Sequence, residues 1–87
     1  MAILVMFYVY VLVSVSRNYI YVGLTDNLQR RILAHNAGHN KTTKPYRPFT
    51  ILFTEQFARR KEARCREKYL KSGCGKESIK TRLGRNW

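Results

Sequence analysis

Acidic residues are scarce in this chain. Five Asp and Glu stand against 17 Lys and Arg in 87 residues, a formal charge of +12. A balance so one-sided excludes a cationic partner and points to a polyanion, nucleic acid ahead of an acidic membrane surface. The basic residues are not gathered on one amphipathic helix with a bulky apolar face, which disfavours the membrane. Cysteine is nearly absent too: Cys65 and Cys74 lack a CxxC spacing. That supports neither a disulfide framework nor a zinc site, predicts no disulfide-linked partner, and fits a reducing compartment. The two prolines, Pro45 and Pro48, fall in one polar stretch, and no linker, repeat or low-complexity tract interrupts the rest.

Charge is wholly missing from Met1–Ser16. The segment has no basic start like a signal peptide, and its apolar run falls short of the ~20 residues of a spanning helix. Its valines and tyrosines suit a buried strand, so it is expected to remain in a cytoplasmic protein with no membrane attachment. Aromatics at 13% and hydrophobics at 45% supply enough apolar surface to fold. The length allows one domain, residues 1–87, with a modest core.

Periodicity orders the chain. Met6–Val13 is apolar on both faces, as a central strand covered on both sides requires. The polar stretch Ser14–Asn18 then turns the chain into Tyr19–Gly23, a hairpin partner. Asp26 reads as the N-cap of a first helix, with Gln29 completing a capping-box-like pattern, and the helix is expected to end near Gly38. After the loop His39–Pro48 come a third strand, Phe49–Thr54, and a helix over Ala58–Leu70 ended by Ser72-Gly73. A short last helix follows over Lys76–Leu83. The order β-β-α-β-α-α predicts an α+β fold, a small three-stranded antiparallel sheet flanked by helices.

Basic residues concentrate in two places. Lys41, Lys44 and Arg47 lie in the polar loop, and Arg59–Arg85 carries a run that includes Arg64, Lys68 and Lys71. Like charges so close destabilise the second helix without a counter-anion, and these three together with the loop cations are expected to contact nucleic acid.

Helical phase adds a finer expectation. At about 100° per residue, Leu28 and Ile32 form the buried stripe of the first helix. Arg31 and His35, four apart, share one border of it, whereas Arg30 points to solvent. His39 does not pair with His35 as a metal site, because Gly38 intervenes and the helix has ended.

The strings Tyr8-Val9-Tyr10 and Tyr21-Val22-Gly23, followed by a helix carrying Arg31, resemble the GIY-YIG nuclease superfamily, especially its small UvrC-like (URI-type) single-domain members. The resemblance covers nearly the whole chain. It implies a metal-dependent DNA endonuclease in which Tyr10 and Tyr21 position or deprotonate water and Gly23 is the motif glycine. The family's arginine, eight residues after that glycine, falls on Arg31, and its histidine-or-tyrosine position falls on His35. A phenol serves as base where nearby cations or metal lower its pKa, and a guanidinium fork suits a phosphate gaining charge. The second helix resembles the family pattern in which the later glutamate binds one divalent cation, Mg²⁺ or Mn²⁺. That assigns Glu67 as metal ligand and catalytic residue; helical phase alone does not choose between Glu62 and Glu67.

Three departures stand out. Tyr8 replaces a frequent glycine, Leu24 and Thr25 follow Gly23 where some relatives have lysine nearby, and Asn86 is the sole tail candidate for the family's late asparagine. The competing expectation is a nucleic-acid-binding module whose nuclease activity is weak or lost. DNA target structure, whether branched, nicked or plain, is not encoded in any recognisable motif.

Overall fold

The computed structural model describes residues 5–84. Arg85 and Asn86, both named above, lie outside the described residues, as do the first four residues of the uncharged start. Three strands, β1 (Phe7–Ser14), β2 (Ile20–Thr25) and β3 (Phe49–Phe57), form an antiparallel sheet in the order β2-β1-β3. The helices are α1 (Leu28–Ala37), α2 (Arg60–Lys71) and α3 (Gly73–Leu83). The fold is the expected α+β arrangement in the expected element order.

β1 is central because it alone is apolar on both sides. Val9 and Val11 face α2 and α3, joining Val22, Ala63, Leu70 and Ile79 in one core cluster. Tyr10 and Leu12 face the other way, packing with Phe49, Tyr21, Leu28 and Ile32. Strand alternation thus divides one short sequence between two cores. Each buried Val or Leu adds roughly 1.5–3 kcal/mol, and this two-sided burial is what holds so small a sheet.

The register of β1 against β3 steps between Val11 and Leu12, from Phe53 to Ile51. Leu52 is skipped, so it and Phe53 both pack on the α2–α3 side while Phe49 turns to the α1 side. Asn36 near the end of α1 locks this corner. Its Oδ1 accepts from Phe49 N at 2.7 Å and its Nδ2 donates to Phe49 O at 3.4 Å.

The cap of α1 differs from the sequence expectation. Asn27, not Asp26, occupies the N-cap, and its Oδ1 accepts from Arg30 N at 3.2 Å. Thr25 Oγ1 accepts from Asn27 N at 3.1 Å, which holds the chain one residue further on before the helix starts. Gly38 ends α1 in the left-handed conformation, as expected. Within the His39–Pro48 loop, Lys44–Tyr46 forms one turn of 3-10 helix with Pro45 in its first turn, where a missing N–H costs nothing. No described helix is long and apolar enough to cross a membrane.

Candidate active site

Tyr10 and Gly23 are register partners on β1 and the edge strand β2, so both project toward α1. The Tyr10 ring lies directly over Gly23, and a Cβ there would meet its Cζ and hydroxyl. The backbone of Gly23 does not have positive φ. The glycine is therefore required by close approach: it lets the ring of Tyr10 lie across the neighbouring strand.

Behind that hydroxyl is His35, 1% exposed although it is polar. Its Nε2 lies 3.0 Å from Tyr10 Oη and its Nδ1 lies 2.8 Å from Thr43 Oγ1. Both ring nitrogens are satisfied, so His35 sits further inside than its expected border position without an unmet polar group. Burial, with a contribution from the Arg31 charge, pushes its pKa below the ordinary 6.5. The imidazole is neutral at neutral pH.

Arg31 closes the group from the solvent side. Its guanidinium is within interaction reach of the Tyr10 and Tyr21 phenols, and Tyr10 does most to hold it charged. The Tyr21 ring stands 6.1 Å from that of Tyr10 and 4.7 Å from that of His35, centroid to centroid. Tyr10 departs from one expectation. Its phenol pKa is not lowered but pushed up to about 12, because burial outweighs the neighbouring Arg31. Tyr10 thus keeps its proton at neutral pH. Arg30 and Arg31 are both exposed and share a cleft with Arg60, Thr25 and Asp26 beside the end of β2, so the helical phase does not send them to opposite sides; Arg31 differs in reaching the two phenols.

Glu67 and Glu62 separate cleanly in space. Glu67 is 6% exposed on the face of α2 that carries Ala63 and Leu70, and its charge is felt at Tyr10. Glu62 is exposed in the first turn of α2. Both Glu67 oxygens are occupied: Arg64 Nη1 donates to Oε1 at 3.2 Å and Lys71 Nζ to Oε2 at 3.1 Å. These cations are 55% and 51% exposed, so a cation and a phosphate can take their place without exposing buried groups. Among the described residues no cluster of three or more His, Cys, Asp or Glu exists. Glu67 offers one carboxylate to a hard ion, and Mg²⁺ accepts such a donor when water and phosphate oxygens fill its remaining positions.

The six expected nucleic-acid contacts spread unevenly. Arg64 and Lys71 are committed to Glu67, while Lys68 is exposed on the same helix. Lys71 also lines a cleft along β2 with Lys76, Tyr19 and Tyr21. Lys41, Lys44 and Arg47 stand exposed on the loop after α1, and Arg47 Nη1 donates to Ala37 O at 3.1 Å. Arg60 and Lys76, which flank the edge strand, were not singled out by the sequence, where they are indistinguishable from other basic residues in the run. Thr43 was missed as well. Its only sequence trace is the Asn40-x-x-Thr43 pattern, in which Asn40 Oδ1 accepts from the backbone N of Thr42 and Thr43 and shapes the turn.

The small α+β sheet brings a buried tyrosine, a histidine and an arginine together at a glycine on its edge strand, the grouping that the family resemblance leads one to expect. The family model described as "GIY-YIG catalytic domain" matches residues 6–80, and the chain belongs to this family, a nuclease superfamily. The chain is 38% identical over 74 residues to the UPF0213 protein SH2523 of Staphylococcus haemolyticus, covering 84% of this chain and 89% of that protein. It is 40% identical over 67 residues to the UPF0213 protein VNG_2274C of Halobacterium salinarum, covering 76% and 86%. The UPF0213 protein YazA of Bacillus subtilis is 40% identical over 52 residues, covering 59% of this chain and 52% of that protein. No solved structure matches the chain significantly.

Proposed function

We propose that the protein is a DNA endonuclease that hydrolyses phosphodiester bonds with the help of one divalent cation, Mg²⁺ or Mn²⁺. The observation that carries this reading is the convergence of Tyr10, His35 and Arg31 across Gly23. Around it, the edge strand is flanked by Arg30 and Arg60 at one end and Lys71 and Lys76 along its length. Cations so placed bind the phosphate backbone without reading bases.

In the reaction, water attacks phosphorus in line and the bond to the 3′-side oxygen breaks. Arg31 neutralises charge on the phosphoryl oxygens, a role worth ~10²–10³ in rate for one such donor. Tyr10, with a pKa of about 12, is a poor free base. It acts instead as a conduit, taking a proton from water at Oη while passing its own to neutral His35. Tyr21, beside both, orients the water or the phosphate. Glu67 would hold the cation, and the chemistry supplied by that ion when bound is polarisation of the phosphate and stabilisation of the leaving oxygen. In this reading the chain acts as one nuclease domain in the cytoplasm, with DNA its partner.

One observation favours the alternative of a binding module without cleavage: the two Glu67 oxygens are saturated by Arg64 and Lys71. A panel of DNA structures incubated with Mg²⁺ or Mn²⁺, and in parallel with EDTA, separates the two. The nuclease reading expects cleavage of at least one structure that EDTA abolishes. Binding of every structure with no cleavage of any establishes the module instead.

A further inference from the structure

We propose that Thr43 is a positioning residue: it fixes the tautomer of His35 that leaves Nε2 bare to receive the Tyr10 proton. The inference rests on the nuclease reading for its catalytic consequence, but not for its structural content.

Tyr10 is 1% exposed. Its O–H needs an acceptor, and so little of the residue meets bulk solvent that the acceptor is supplied by the protein. Arg31 can only donate. The remaining neighbour at hydrogen-bonding distance is His35 Nε2, 3.0 Å away. Tyr10 is held in its protonated form, so the proton between them belongs to the phenol and Nε2 is the acceptor. A neutral imidazole carries one N–H, which must then be on Nδ1. That N–H meets Thr43 Oγ1 at 2.8 Å, with Thr43 itself fully buried. The Thr43 hydroxyl in turn donates to Asn40 O at 3.5 Å, leaving its oxygen free to accept. The result is a directed chain: Tyr10 donates to His35, His35 to Thr43, and Thr43 to the Asn40 carbonyl.

Direction matters for chemistry. With the opposite tautomer, Nε2–H would donate to Tyr10 and no base would stand behind the phenol. With Nδ1–H, a proton leaving water moves to Tyr10 Oη as the Tyr10 proton moves to Nε2. The imidazolium so formed keeps both N–H bonds satisfied, by Tyr10 and Thr43, until it releases its proton to solvent or to the leaving oxygen. Thr43 touches no reacting atom; it acts through His35, as a partner of the distal nitrogen does in other histidine bases.

The test is a two-bond ¹⁵N–¹H correlation spectrum of the side chains at a pH where His35 is neutral. The chain has two histidines, so His39→Gln assigns the signals. Wild type should show His35 protonated on Nδ1. Thr43→Ser, which keeps the acceptor, should retain that pattern. Thr43→Val, which keeps the volume, should shift His35 toward the Nε2–H tautomer. On whichever DNA structure the wild type cuts, Thr43→Val should lower kcat by about 10²-fold with KM unchanged, the low end for acid–base catalysis, and Thr43→Ser should restore it. A wild-type His35 protonated on Nε2 overturns the proposal, as does a Thr43→Val protein that keeps Nδ1–H and wild-type kcat. If Thr43→Val fails to fold, the wild-type and Thr43→Ser spectra still decide the tautomer. If no DNA is cut, the nuclease reading fails while the spectra continue to test the tautomer.

Discussion

Gly23→Ala is the most informative small change in this protein. A Cβ at this position meets Cζ, Cε1 and the hydroxyl of Tyr10 at once, and these atoms belong to a rigid ring with 1% exposure. The ring must move, and the 3.0 Å bond to His35 goes with it. Overpacking of this kind costs about 1–3 kcal/mol, and loss of the buried hydrogen bond adds about 0.5–1.5. Urea unfolding should therefore show roughly 2–4 kcal/mol of destabilisation. Because two of the three contacts are ring carbons, Tyr10→Phe should not relieve the clash, whereas Tyr10→Ala should. A double-mutant cycle between Gly23→Ala and Tyr10→Ala is expected to give a coupling of about 1–3 kcal/mol. Gly73→Ala is the control: a Cβ there meets nothing within 4 Å, so the change should be neutral or slightly stabilising. If Gly23→Ala costs the same in the Tyr10→Ala background as in wild type, the close-approach argument is wrong.

Arg31→Ala should abolish cleavage, and Arg30→Ala should mainly weaken binding, measured as kcat against Kd on one DNA; equal effects refute the roles assigned to the two neighbours. Binding to duplex DNA should weaken steeply with salt. If four phosphates are neutralised, log K against log[salt] has a slope of about −3.6, and a flat plot contradicts the basic edge. His35 has a folded pKa below 6.5. The unfolded state therefore takes up the proton first, and the stability that His35 contributes, complete above about pH 6.5, is lost as pH falls through the lower folded value. Urea midpoints followed from pH 8 to pH 5 should show this decline, and His35→Gln should remove that component; an unchanged decline in the variant refutes the assignment.

The fold was legible because its periods are clean. β1 announces itself by being apolar on both faces, and the stripe Leu28–Ile32 fixed which side of α1 turns inward. The boundaries that shifted did so for tertiary reasons. β3 continues to Phe57 because Glu55 is held by Arg66 of α2, with Nε donating to Oε1 at 2.7 Å, so a charge that looks like a strand end is matched across the sheet. α3 begins at Gly73, ahead of the expected Lys76, because Ser72 caps it and Gly75 packs against the backbone of Tyr69 and Leu70, where a Cβ would not fit. Gly73, which read as the end of the second helix, opens the third, and Gly75 lies where the two helices cross. At the site, Tyr10, Gly23, Arg31 and His35 were each legible from spacing or resemblance, and the structure gathers them. Phase did not choose between Glu62 and Glu67, since both have apolar neighbours at helical spacing; in the structure Glu67 is buried and Glu62 exposed. Thr43 was invisible because its contact depends on a loop conformation set by Asn40, which no periodicity encodes.

Glu67→Gln tests the central claim most directly, by cleavage rate and DNA affinity measured side by side in the same Mg²⁺. The change keeps size and helix propensity, and the cations it releases, Arg64 and Lys71, are already half-exposed, so the fold should persist. Removing the charge removes the one buried carboxylate able to hold a cation near Tyr10, while two freed basic side chains become available to phosphate. Cleavage should vanish, or return only partly at high metal concentration, and affinity should hold or rise. A Glu67→Gln protein that cuts DNA at the wild-type rate in the same Mg²⁺ contradicts the account.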